Sequence, residues 1–166
     1  MNDVRFRAPW GRTLVIVSLL ATGLCLSLAF SLGPWHKIPI VGRVLPLVIL
    51  VGSAPFTIRG YTVTNDAILV HRLFWKTRLS REGLISATVE PDAMKCAMRT
   101  CGNGGLYSFT GWYWTKRIGA FRAYVTDLRR TVVVRFKTRK AVVVSPDDPE
   151  GFVQAVMGMA KVPLGE

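Results

Sequence analysis

Twenty consecutive residues near the start of the chain, Thr13 to Leu32, carry no charged side chain. As a helix rising 1.5 Å per residue, a run of that length reaches about 30 Å, the hydrocarbon thickness of a bilayer. Only Ser, Thr and Gly interrupt it, so no polar face is available to sit toward water, as the surface helix of a small soluble domain requires. The run reads as a membrane span over 13–32. The competing reading is a cleaved signal peptide, since Arg5, Arg7 and Arg12 precede the run and Ala29-Phe30-Ser31 has a small residue at each end. The run is long for the apolar region of a signal.

A second apolar stretch, Val44 to Ile58, lies between Arg43 and Arg59. Extended back to about residue 40 it gives a second span, 40–58, with Pro46 and Pro55 inside it. A re-entrant or interfacial helix is the alternative for this stretch. Gly33-Pro34-Trp35-His36-Lys37 between the two runs reads as a short turn with an indole at the interface, making the pair a transmembrane hairpin. Flanking cations set the orientation. Arg5, Arg7 and Arg12 precede the first span and Arg59, Arg72, Lys76 and Arg78 follow the second, against Lys37 and Arg43 between them. Both termini are therefore expected in the cytoplasm of a multi-pass protein of the cell membrane.

From residue 59 onward the composition is that of an ordinary globular domain, long enough for one core and too short for two. The division is thus 1–58, N-terminal segment and hairpin, and 59–166, folded domain. That domain holds 17 Lys and Arg against 9 Asp and Glu, which favours anionic partners. Three cysteines, Cys25, Cys96 and Cys101, have no histidine at zinc-ligand spacing, so free thiols are expected, with no metal and no cofactor.

Short segments rich in Val, Ile, Thr, Tyr and Phe recur about every ten residues, a pattern of antiparallel strands. Tyr61 to Thr64 and Ala67 to Leu73 form a hairpin across Asn65-Asp66. A short strand follows near Thr77 to Leu79, then one helical turn at Arg81 to Ile85, then a strand to Glu90. Residues 92–116 read as an irregular glycine-rich and aromatic loop. Ala120 to Thr126, Thr131 to Phe136 and Ala141 to Ser145 are three clear strands, with hairpins expected at 127–130 and 137–140. Asp148-Pro149-Glu150 supplies a cap, a first-turn proline and a first-turn acid for one C-terminal helix. Its apolar stripe is Phe152, Val153, Val156, Met157 and Ala160. The fold class is α+β.

Several blocks resemble one family. They are Tyr61-Thr-Val-Thr64, Gly102-Asn-Gly-Gly105 with the aromatics after it, Gly119 with Phe121-Arg-Ala-Tyr-Val-Thr-Asp127, and Val142-Val-Val-Ser-Pro-Asp-Asp-Pro149 before the helix. In content and order they are similar to bacterial PH-like (pleckstrin-homology-like) domains over most of residues 60–160. The resemblance implies strands closed by one C-terminal helix and a membrane-anchored position. It implies no characterised activity, since a fold does not carry a function with it. Where eukaryotic PH domains bind phosphoinositides through a basic first loop, this chain has Asn65-Asp66.

No phosphate-binding loop, nucleophile elbow or paired-histidine motif is present, and no catalytic residue is assigned. Asp147, Asp148 and Glu150 are read as capping groups, and Gly102 to Gly105 as a tight turn. The strongest binding candidates are the cations from Lys116 to Lys140: Lys116, Arg117, Arg129, Arg130, Lys137, Arg139 and Lys140, in turns that can reach an anionic lipid surface. Trp112, Tyr113 and Trp114 are candidates for a protein partner or a second copy of the chain. Nucleic acid is disfavoured, because the cations do not interleave with sheet aromatics. The expected function is a non-enzymatic membrane-anchored module that binds anionic inner-leaflet lipid or a protein. The alternative is a subunit or scaffold of a membrane protein complex, using the aromatic loop or a sheet edge.

Overall fold

The computed structural model describes residues 3–30 and 39–158. The expected turn at Gly33 to Lys37, with Trp35, lies outside those residues, as does Ala160 of the helical stripe. The element order begins with a strand, β1 (Val4–Arg7), followed by α1 (Arg12–Ala29), α2 (Ile40–Ser53) and a 3-10 turn (Ala54–Phe56). Nine further strands follow. They are β2 (Ile58–Val63), β3 (Ala67–Arg72), β4 (Lys76–Ser80), β5 (Leu84–Val89), β6 (Met98–Gly104), β7 (Phe109–Thr115), β8 (Gly119–Val125), β9 (Val132–Phe136) and β10 (Ala141–Val144), before α3 (Pro149–Gly158). The class is α+β with mostly antiparallel sheets.

The strands form a four-stranded sheet, β1-β2-β3-β4, and a six-stranded sheet, β5-β9-β10-β8-β7-β6. Strand β1 lies in what the sequence presents as a cationic flank. It pairs antiparallel with β2, Val4 opposite Val63 and Arg7 opposite Gly60. Its end is held by Asp147, whose carboxylate accepts the Arg7 N–H at 3.0 Å and whose own N–H donates to the Arg7 carbonyl at 3.0 Å. The sheet therefore takes a strand from each side of the two helices.

Three local expectations change. Arg81 to Ile85 is not a helical turn: the chain turns at Arg81 to Gly83 and enters β5 at Leu84. Arg81 is buried and donates to the Thr64 and Asn65 carbonyls, at 2.8 and 3.1 Å, and to the Val156 carbonyl near the end of α3. Residues 92–116 are not one loop, because β6 and β7 pair across most of them. Finally, 127–130 is not a hairpin, since β10 lies between β8 and β9 and runs parallel to β8.

That insertion of β10 explains the unbroken valine runs. Val132, Val134, Val142 and Val144 face the core between the sheets, with Ile58, Tyr61, Val63, Ile68, Val70 and Tyr124, and Phe152 and Val156 of α3 close it. Val133 and Val143 face the opposite side, where Phe121, Ala123 and Val125 pack under Ala93 and Met94. Strands buried on both faces lose the polar alternation that a one-sided sheet would impose. Helix α3 starts as its sequence indicates, with Asp148 accepting the Gly151 N–H at 3.0 Å.

Tyr61 is the polar group at the centre of this core. Its hydroxyl donates to the Tyr124 carbonyl at 2.7 Å and accepts the Ser145 N–H at 3.2 Å. Burial pushes the phenol up to about 12, opposed by the bonds from Ser145 and Thr126. A pKa raised on folding means the contribution is complete below pH 10 and is lost as pH rises from 10 toward 12. That loss amounts to about 3 kcal/mol. Comparing urea unfolding of the detergent-solubilised chain at pH 9 and pH 11.5 is expected to reveal it. Tyr61→Phe should lower stability at pH 9 and flatten the Tyr61 part of the pH dependence.

Helix α1 is long and apolar enough to cross a membrane, and α2 with its following turn is a shorter apolar helix. Within α1 only Leu14 and Ser18 are buried, while Ile16, Leu19, Leu20 and Leu24 are exposed. Along α2, Ile40, Val41, Leu45, Val48 and Val51 are likewise exposed. A core helix of a soluble protein would bury these side chains.

Candidate functional site

The helices join the sheets over a cavity of about 660 Å³. Val17 of α1, Ile49, Gly52 and Ser53 of α2, and Phe56 line one side. Gly102, Gly104, Thr110 and Gly111 of β6 and β7 line the other. Helix α1 is fixed here by its own polar residues. The Ser18 hydroxyl donates to the Gly105 carbonyl at 3.1 Å and accepts the Tyr107 N–H at 3.0 Å, and Thr22 and Tyr107 hydroxyls lie 3.2 Å apart. The Ser108 hydroxyl donates to the Phe56 carbonyl at 3.0 Å, tying the end of the helical pair to the start of β7. These contacts give small polar residues in an apolar run a local structural purpose.

Three arginines enter the cavity wall, Arg72 from β3, Arg99 from β6 and Arg122 from β8, and no acidic residue lines it. Arg72 is 9% exposed. Its guanidinium carbon lies 5.3 Å from the centre of the Phe56 ring, 5.6 Å from Trp75 and 5.4 Å from Tyr124. Its Nε donates to the Thr77 hydroxyl at 3.2 Å, while Nη1 is buried with no hydrogen-bond partner among the described residues. Burial lowers the Arg72 pKa, the neighbouring Tyr124 opposes that, and the charge of Arg122 lowers it further. Arg122 sits 5.3 Å from the same Tyr124 ring and 5.7 Å from Trp112. Arg99 donates from Nη1 to the Gly102 carbonyl at 3.1 Å. Among the described residues, no ion pair neutralises any of the three.

The family model described as bacterial PH domain matches residues 59–160. The chain belongs to the bacterial PH domain family. No curated protein and no solved structure matches it. The matched residues begin at β2, so the β1 strand of this PH domain, and the helices between β1 and β2, lie outside the match.

In the PH domain the seven cations singled out in the sequence fall into two groups. Arg129 and Arg130 follow the end of β8, beside Thr126, whose carbonyl accepts the Gly11 N–H at 3.0 Å just before α1. Arg130 donates to the Asp147 carbonyl at 3.1 Å and lies 4.0 Å from the Asp127 carboxylate. Lys116 and Arg117 lie before the start of β8, and Lys137, Arg139 and Lys140 precede β10, which runs parallel to β8. A seven-residue strand separates the groups, about 20 Å at 3.3 Å per residue. Several cations of the second group have partners. Arg117 pairs with Glu90 at 3.3 Å, Arg139 donates to the Ser80 carbonyl and lies over the Phe136 ring at 3.6 Å, and Lys140 lies 5.0 Å from the centre of the Trp112 ring.

Trp112 and Trp114 project from one face of β7 and are 39% and 41% exposed, while Tyr113 points to the other face, where it is buried and stacks on Phe121. Its hydroxyl donates to the Asn103 carbonyl at 2.7 Å. Cys96 and Cys101 are exposed free thiols, and no group of three metal-binding side chains occurs among the described residues. Sequence reasoning missed Arg72, Arg99 and Arg122 as a set. Each is an ordinary strand residue, and only the packing of Arg72 of β3 over Tyr124 of β8, the pairing of β6, β7 and β8 and the return of the helices bring them to one cavity.

Proposed function

We propose that this chain is a membrane-anchored binding module, not an enzyme, in which α1 and α2 cross the bilayer as a hairpin and the PH domain engages anionic lipid of the inner leaflet. The observation that carries the reading is the pairing of β1 with β2. These strands flank the helical pair, so a chain that crosses in α1 must cross back before β2. The exposed apolar faces of both helices support burial in lipid. The cations flanking the pair, Arg5, Arg7, Arg12 and Arg59, favour the cytoplasm for the strand side. Arg129 and Arg130, next to the departure point of α1, stand close to the leaflet surface, where each cation contributes about 1 kcal/mol.

A second reading, subunit or scaffold of a membrane protein complex, draws on the half-exposed Trp112 and Trp114 near the open edge strand β6. The test uses native Cys96 and Cys101 in the full chain with Cys25→Ser, expressed in bacterial membranes. A membrane-impermeant maleimide is expected to label inside-out vesicles and leave intact cells unlabelled. On the same vesicles, Arg129→Glu should raise hydrogen exchange at 127–130, and in neutral detergent it should not. Labelling of intact cells would overturn the orientation, and unchanged exchange would remove lipid docking by that turn and leave the Trp112 and Trp114 surface as the working site.

A further inference from the structure

The basic turns and the arginine-lined cavity are distinct features, and the cavity makes the sharper demand for a ligand. We propose that it holds the phosphate-bearing headgroup of one membrane phospholipid, with Arg72 and Arg122 on the phosphate, Arg99 at the rim beside Gly102, and an acyl chain leaving along Val17, Ile49 and Phe56. The proposal rests on the membrane-anchored reading above and names the ligand and the residues of a site away from the basic turns.

Five observations support it. Nη1 of Arg72 and the Tyr124 hydroxyl are both buried and neither forms a well-aligned hydrogen bond, so Tyr124 only partly satisfies a charged group that an anion oxygen would satisfy fully. Arg72 and Arg122 lie within 5.4 Å of one aromatic ring, with no carboxylate paired to either among the described residues, so their mutual repulsion is relieved by an anion between them. The opposite wall is apolar and comes from the helices, so the lining is amphipathic in the sense that a lipid is. The volume, about 660 Å³, lies within the range of small-molecule sites. A bare phosphate would leave most of it empty, whereas a headgroup with its glycerol and the first methylenes of a chain would fill it. Its position, where α1 and α2 enter the sheets, puts the arginines at headgroup depth if the helices span.

The test uses the full chain in neutral detergent and native mass spectrometry to count retained lipid. Phosphatidylglycerol is the probe, diacylglycerol the control that lacks a phosphate, and glycerol 3-phosphate the soluble competitor. One bound phosphatidylglycerol per chain is expected, with diacylglycerol retained at least tenfold less and millimolar glycerol 3-phosphate unable to displace the lipid. Arg99→Gln with Arg122→Gln, at exposed positions that should not disturb folding, is expected to reduce retention tenfold or more. Arg72→Gln should act in the same direction. Lys95→Gln, at an exposed position outside both the cavity lining and the basic turns, should leave retention unchanged. Equal retention of diacylglycerol, or undiminished phosphatidylglycerol in the Arg99 and Arg122 double variant, would overturn the site while leaving the membrane-anchored module intact. Displacement by glycerol 3-phosphate would overturn the lipid as its occupant and assign the cavity to a soluble phosphate.

Discussion

Phe152→Ala is expected to destabilise the chain by about 3 to 5 kcal/mol, the usual cost of emptying a phenylalanine site in a packed core. Phe152 has no exposed surface and joins three parts of the chain. Its ring meets Tyr61 of β2 edge-on at 6.1 Å and Phe6 of β1 at 5.2 Å, with an interplanar angle of 73° to the latter. Collapse around the void is difficult because its neighbours sit on hydrogen-bonded strands held in register. Against a total stability of about 5 to 15 kcal/mol for a domain, such a loss should lower the unfolding midpoint markedly. Urea titration followed by near-ultraviolet circular dichroism is the measurement, with Ile85→Ala at an exposed position on β5 as the comparison. The Ile85 variant should change stability by less than about 0.5 kcal/mol. An equally small effect at Phe152 would mean that α3 does not close the core.

The same contacts account for what could be read from the chain and what could not. Asp148-Pro149 announces the start of α3 because a cap acts within one turn, and the valine runs announce β9 and β10 because burial on both faces leaves a mark on composition. The Asn65-Asp66 hairpin is equally local. Strand β1 is not. Val-Arg-Phe-Arg has no turn beside it and its partner lies more than fifty residues on, so before a long apolar run it reads as a charged flank. The order of β8, β10 and β9 was also hidden, since a four-residue connection looks the same whether it turns back or crosses a neighbour. Arg72, Arg99 and Arg122 belong to three different strands, and nothing in their spacing says that they line one cavity. The glycines of β6 and β7 misled in the opposite direction, because their density suggests a loop where they permit two strands to approach.

That approach is the basis of the second large effect, expected for Gly111→Ala. Gly111 of β7 stands opposite Gly102 of β6, with φ of 134° and 119°, conformations that side chains rarely adopt. A methyl group on Gly111 would collide with the Cys101 carbonyl oxygen and lie 2.7 Å from the Gly102 Cα, both backbone atoms with no rotamer to change. Backbone strain of this kind costs about 1 to 3 kcal/mol by itself, and here the collision adds to it. Gly119→Ala isolates the strain, because its φ is 78° but nothing lies within 4 Å of the added carbon. Relief for Gly111→Ala requires β6 to move off β7, and β6 is an edge strand, held only on the β7 side. The loss should therefore be local. Hydrogen exchange is expected to accelerate across Met98–Gly104 while β9 and β10 stay protected, and Gly119→Ala should leave β6 unchanged. Since Gly102, Gly104 and Gly111 form one wall of the arginine-lined cavity, retention of phosphatidylglycerol should fall with β6 protection. Lost protection with lipid retention intact would mean that the lipid rests elsewhere on the helical pair.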